Sequence, residues 1–433
     1  MKKSDKKIFI WTLFDFANTS YSIVVVTLIY AVYFKNVVAE GKPIGDLYWS
    51  YGIGISMIIT ALISPILGAI ADHSAGKKRF LLGFTLLSIA ATASLYFVDR
   101  GEVFLGLTLF ILANIGFEAG LVFYDAFLPE ITTPKNYGRV SGYGFAMGYL
   151  GSLVTLALAY PFIQNNMVKI TFPLAALFFL VFAAPLFFFL PDSRKNVPRE
   201  KSYFAIGLER VLFTIKHLKY YKQLSVFLLA FFFYIEGVNT VIFFAGNYAS
   251  STLRFSQTEL IFFFLIVQTT AILGAALFGI LSDSWGQKET LTLTLLIWLG
   301  IIVFAFISSD PEGEFVKYAS KILGEKPSEF IKTSFYVVGL ASGSVLGATQ
   351  SISRSLMSKL TPEDKKTEFF GFFSLFGKSS AILGPFVFGL VSYLTGSQRF
   401  ALSSVGIFFL IGLMILTFLK IGETRTFQAN EVE

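Results

Sequence analysis

The sequence predicts an all-α integral membrane protein, with twelve transmembrane helices arranged as two pseudo-symmetric bundles of six. Three observations predict it. Of 433 residues, 55% are hydrophobic and only 15% are charged, against about 25% charged in soluble proteins, so the chain cannot cover itself with polar surface. Apolar runs near the roughly 20 residues needed to cross hydrocarbon recur from one end to the other. A basic stretch splits these runs into six and six, and a loop pattern from the first set returns in the second.

The first run, 8–34, follows the basic segment Met1–Lys7. It is too long for a signal-peptide core and lacks a small-residue cleavage site, so it reads as a retained helix. Runs at 47–71, 80–98, 103–127, 139–160 and 170–190 complete an N-terminal bundle over residues 1–190. The segment 191–222 carries Arg194, Lys195, Arg199, Lys201, Arg210, Lys216, Lys219 and Lys222. The positive-inside rule places this linker in the cytoplasm, and twelve crossings then place both termini there. Within it, Phe204–Leu218 has the periodicity of an amphipathic helix on the membrane surface, with tethering of the two bundles as its expected role. Six further runs, 223–248, 258–282, 290–308, 333–356, 367–394 and 399–420, form a C-terminal bundle over 223–433 with a short cytoplasmic tail. The longest outer loop, Ser309–Lys332, is expected to be partly helical.

Composition excludes several functions. The formal charge of +7 sits in short clusters between apolar runs, where it faces lipid headgroups rather than nucleic acid. There is no cysteine, and the only two histidines, His73 and His217, fall in expected cytoplasmic segments. No metal site and no cofactor is therefore expected. Gly371–Ser379 looks briefly like a phosphate-binding loop, but its glycines are misplaced and it lies in an apolar helix. An intramembrane transferase acting on lipid-linked substrates would need convergent nucleophile, base or metal ligands, and none is offered. The chain reads as a non-enzyme whose partners are a small-molecule solute and the bilayer, acting as a monomer in a membrane, with the bacterial inner membrane preferred.

The loops after the second run of each half repeat a pattern. The first contains Gly68, Asp72, Gly76, Lys77, Lys78 and Arg79, and the second Gly279, Asp283, Gly286 and Lys288. The glycine permits close helix approach, and the aspartate can accept from backbone N–H groups at a neighbouring helix end. Six plus six helices with this loop in each half resemble the major facilitator superfamily. The first copy has three residues between Asp72 and Gly76 where two are common, and the second has Gln287 where a basic residue is usual. A narrower resemblance, to the vacuole effluxer branch of that superfamily, rests on Trp11 to Tyr21, Phe123 to Pro129, Ser141 to Gly151, and Glu368 through Lys378 to Pro385. It implies alternating access, and amino acids as cargo.

Charge inside a membrane is expensive, so it marks function. Asp15 in the first helix, Glu118 and Asp125 in the fourth, Glu236 in the seventh, Arg354 in the tenth and Lys378 in the eleventh are such residues. The resemblance implies that helices 1, 4, 7 and 10 line the central cavity, which holds five of these six. Asp15 and Asn18 are echoed by Glu236 and Asn239 at the same i, i+3 spacing, each pair on one helix face. Gln350 shares a face with Arg354, and Tyr21, Tyr124, Tyr143, Tyr149 and Tyr234 are polar-tipped candidates for the cavity. Asp15, Asp125 and Arg354 are expected near the cytoplasmic ends, closing an inner gate; Glu118, Glu236 and Lys378 lie nearer the midplane, where cargo and coupling ions bind. Desolvation favours the neutral form of a carboxylate, so Glu118 or Glu236 is expected to couple transport to protons, with sodium left open. The resulting expectation is a proton-linked secondary transporter of a small polar solute, against a multidrug or lipid-like exporter of the same fold.

Overall fold

The computed structural model describes residues 3–192, 202–380 and 383–421. The linker residues Arg194, Lys195, Arg199 and Lys201 and the tail beyond 421 lie outside them. The first crossing is α1 (Lys3–Tyr21), a π-helical stretch Ser22–Thr27, α2 (Ile29–Tyr33) and a second π-helical stretch Phe34–Val38. Next come α3 (Ile44–Ile70), α4 (Lys77–Ser94), α5 (Val103–Asp125) with the short α6 (Leu128–Ile131) at its end, α7 (Tyr137–Gln164) and α8 (Thr171–Phe189). The linker contains α9 (Tyr203–Lys216). The second half holds α10 (Lys222–Asn247), α11 (Gln257–Trp285), α12 (Gln287–Ser308), α13 (Glu314–Leu323) in the outer loop, α14 (Pro327–Leu360), α15 (Lys366–Ser380), α16 (Leu383–Thr395) and α17 (Gln398–Thr417).

Among the described residues, eleven stretches are long and apolar enough to cross a membrane. The twelfth crossing is the pair α15 and α16, which share the run expected over 367–394. Helix ends extend past the apolar runs because polar residues at interfaces continue the backbone ladder: α14 is 34 residues long, Pro327–Leu360, where 333–356 was expected. At its start α11 is fixed by a capping box, in which Ser256 and Glu259 satisfy one another's backbone N–H groups. Gly76 (φ 73°) and Gly286 (φ 109°) end the repeated loops in a backbone conformation that side chains rarely tolerate.

Phenylalanine both lines the outside of the bundles and packs inside them. Phe104 and Phe188 are exposed, but Phe14, Phe34, Phe110, Phe123 and Phe127 are fully buried. Many rings stack on one another inside each bundle, Phe231 on Phe373 among them. Without a hydrophobic driving force between helices in lipid, such packing contacts carry association.

The two halves meet along two seams, α3 against α15 and α7 against α11. Both are lined by small residues. A methyl group on Gly68 would overlap the Thr367 carbonyl, and one on Gly142 the Ala275 carbonyl. α9 and both repeated loops share one face of the molecule, the linker face.

Candidate functional site

Arg354 of α14 is 2% exposed and reaches out of its own half into the first. Its Nη1 donates to Asp15 Oδ2 at 3.1 Å and to Asp125 Oδ1 at 3.0 Å. Its Nε donates to Ser141 Oγ and its Nη2 to the Ser141 carbonyl, both at 2.9 Å. The guanidinium also lies over Phe145, Trp11 and Tyr124, at 4.3, 4.7 and 5.7 Å from the ring centres. Trp11 and Tyr124 are locked to each other, the indole N–H donating to the Tyr124 carbonyl and the phenol to the Trp11 carbonyl, each at 3.1 Å. The planar fork of arginine matches two carboxylates and a serine at once, which a lysine cannot do. A buried cation held this way is costly to leave unpaired, so the cluster holds α14 to α1, α5 and α7.

A second charge contact crosses the halves deeper in the bundle. Lys378 of α15 pairs with Glu118 of α5. Glu118 is seven residues from Asp125, about 10 Å along the helix axis. Between these levels, Tyr149 of α7 donates to Gln350 of α14 at 2.7 Å, again joining the two halves.

The repeated loops act reciprocally. Asp72 accepts from the backbone N–H groups of Thr367 (3.0 Å) and Glu368 (2.8 Å), at the start of α15 in the other half. Asp283 accepts from Gly138 (2.8 Å) and Arg139 (3.1 Å), at the start of α7. Each aspartate thus supplies a carboxylate to orphan donors and to the positive end of a helix dipole. In the second copy, Arg139 Nε adds a contact to Asp283 at 2.7 Å. In the first, Lys77 is buried rather than a surface charge, and donates to the Ala126 carbonyl and to Glu130, each at 2.6 Å. Lys78 donates to the Leu190 carbonyl at 2.6 Å, while Arg79 is exposed.

The remaining candidates fall elsewhere. Glu236 is fully buried, and one oxygen accepts from the Gly384 N–H of α16. Its other oxygen has no hydrogen-bond partner among the described residues. The echo between Asp15 and Glu236 therefore breaks down in three dimensions: one carboxylate crosses the halves, the other stays within its own. Asn18 approaches Asp15 at 3.5 Å, and Asn239 also has an interaction partner. Tyr21 donates to Asn114 at 3.2 Å, and Tyr234 shares a 2.7 Å hydrogen bond with Ser353. Tyr143 is 40% exposed, unlike the fully buried Tyr124.

One buried acid was not among the sequence candidates. Glu368 is fully buried beside the Asp72 cap. It takes a hydrogen bond from Thr214 of α9, with Arg210 at 3.6 Å and Lys365 at 3.7 Å. Lys365 also donates to Thr214 at 2.7 Å, and burial holds its amine below the usual lysine range. The one available signal was an acid at the first turn of an apolar run, which reads equally well as a solvated helix end.

The chain has known relatives. Residues 47–428 match the family model described as vacuole effluxer Atg22 like. An uncharacterized MFS-type transporter, YxiO of Bacillus subtilis (strain 168), is 31% identical over 98% of this chain and 97% of its own length. Autophagy-related protein 22 of Kluyveromyces lactis is 25% identical over 84% of this chain and 78% of its own. Among solved structures, the proton:xylose symporter XylE superposes with a TM-score of 0.69 at 14% identity, covering 98% of this chain and 97% of that one.

Proposed function

Because the chain belongs to the vacuole effluxer Atg22-like family of the major facilitator superfamily, a family of secondary transporters, we propose that it moves a small polar solute, amino acids first, by proton-coupled alternating access. The observation that carries this reading is the Arg354 cluster. One buried arginine of the second half holds two carboxylates of the first, so the linker-face closure is built from bonds that must break for the halves to rock apart. In this reading the linker face is cytoplasmic, both termini lie there, and the membrane is a bacterial inner membrane.

The two midplane acids take different roles. Glu118 is already matched by Lys378, so it acts as a switchable ion pair that solute charges displace. Glu236 forms no ion pair among the described residues, and a buried carboxylate without a countercharge is suited to carry a proton. A multidrug or lipid-like cargo fits less well, since fixed charges in the path would stay desolvated against an apolar ligand.

The test begins with a thermal-shift screen of amino acids on purified protein, followed by proteoliposome transport of whichever solute stabilises it. Glu236→Gln is expected to keep counterflow and lose proton-driven uptake, whereas Glu118→Gln is expected to weaken both. If both variants retain proton-driven uptake, the coupling assignment is wrong; if no amino acid shifts melting or exchanges, the cargo class is wrong.

A further inference from the structure

The linker helix α9 touches both halves on one face and neither on another. Gly207, Val211 and Thr214 are buried. Gly207 sits so close to α3 that a methyl group there would lie 2.7 Å from the Ile70 side chain and 2.8 Å from the Ile66 carbonyl. Two turns on, Thr214 bonds Glu368 and Lys365 of the second half, and Arg210 reaches the Asp364 carbonyl at 3.4 Å. The helix therefore bridges the α3–α15 seam beside the Asp72 cap.

The neighbouring flank is apolar and uncovered. Phe204, Leu208, Leu212 and Ile215 recur at helical spacing on one side, and all four are exposed, Phe204 at 63%. Beyond them lies a third side carrying Ala205, Glu209 and Lys216, also exposed, with Phe213 at its far edge, where it stacks on His217. A helix in bulk water has no reason to order its exposed surface into an apolar flank and a polar one. The contact point on α3 says what covers the flank. Ile66 follows Ile55, Ile58 and Leu62, which share its helix face and are exposed on the same apolar crossing, so α9 lies at the end of an exposed apolar stripe of the kind that faces lipid. Lys216 and Lys219 are exposed beside it, and basic residues are drawn to an anionic leaflet.

We propose that α9 is a membrane-seated clasp: its apolar flank lies in the headgroup layer of the linker-face leaflet while its buried face holds α3 and α15 together. Sequence periodicity implies a tether on the membrane surface; the geometry makes it part of the closure. Release of the helix from the lipid surface would loosen the seam, so the leaflet becomes a partner in setting which state the transporter occupies. This goes beyond the transport reading and is measured whether or not any solute moves.

The chain has no cysteine, so Phe204→Cys, Leu208→Cys, Leu212→Cys and Glu209→Cys each carry a single label site. The labelled full-length protein is reconstituted in phosphatidylcholine vesicles containing phosphatidylglycerol. Labels at 204, 208 and 212 are expected to lose fluorescence to a lipid-borne quencher and to resist aqueous iodide, with the reverse at 209. Equal iodide quenching at all four positions overturns the membrane seat. Spin labels at Lys135 and Glu363, both exposed on the linker face, then report the gap between halves. Leu208→Ser with Leu212→Ser is expected to add longer distances, and an unchanged distribution overturns the clasp.

Discussion

The two copies of the repeated loop do the same job with different reinforcement. Asp72 and Asp283 each cap a helix of the opposite half with two backbone hydrogen bonds. Around Asp72 the seam is sealed by buried polar groups, Lys77, Glu368 and Lys365, and by the linker helix that reaches over it. Around Asp283 the added ion pair is to Arg139, whose side chain is 44% exposed. Duplication supplied a symmetric latch, and the linker, which has no counterpart in a repeat, made it asymmetric. One seam is thus committed by desolvated contacts and the other by contacts that water and salt can weaken.

The largest expected effect tests what both seams share. Arg354→Gln strands Asp15 and Asp125 in a buried site, which costs about 3–5 kcal/mol. Spin-label distances across the linker face should lengthen and counterflow should be lost, and adding Asp15→Asn and Asp125→Asn should recover melting temperature but not transport. If Arg354→Gln leaves the face closed, the two seams suffice without it and the comparison above loses its common anchor.

Smaller effects sharpen the asymmetry. Gly68→Ala forces a methyl group into the Thr367 carbonyl, whereas Gly279→Ala brings one to 2.7 Å from the Gly138 carbonyl. Overpacking costs about 1–3 kcal/mol, and thermal unfolding in detergent should show the greater loss at 68. Asp72→Ala and Asp283→Ala each remove a cap worth about 0.5–2 kcal/mol. The first should open the linker face more, because Glu368 then loses the order of the helix start it sits on; equal opening would break the comparison. Smallest of all, Arg139→Ala should cost under about 1 kcal/mol, with Asp283 still holding its two N–H donors, and transport at raised salt should match the parent.

Much of this could be read without coordinates. The runs, the six-plus-six partition and the paired loops follow from local composition, and the costly charges stand out against apolar neighbours. Asp15, Asp125 and Arg354 were legible as gate candidates because their expected depth agreed. The partner of Lys378 was not, since a long flexible side chain has several acids within reach of its helix. Nor was Glu368, because a carboxylate at a helix start is solvated unless something else covers it, and α9 is distant in sequence.

By itself, the sequence determined the solvent of the fold: hydrocarbon demands long helices with satisfied backbones, and that constraint acts residue by residue along the chain. It also determined where charge was tolerated at a cost. Only the tertiary structure decided which charges meet, that Asp15 serves the interface while its echo Glu236 bonds the backbone of its own half, and that a linker becomes a clasp. Pairing depends on side-chain geometry between segments hundreds of residues apart, and no local pattern encodes such distances.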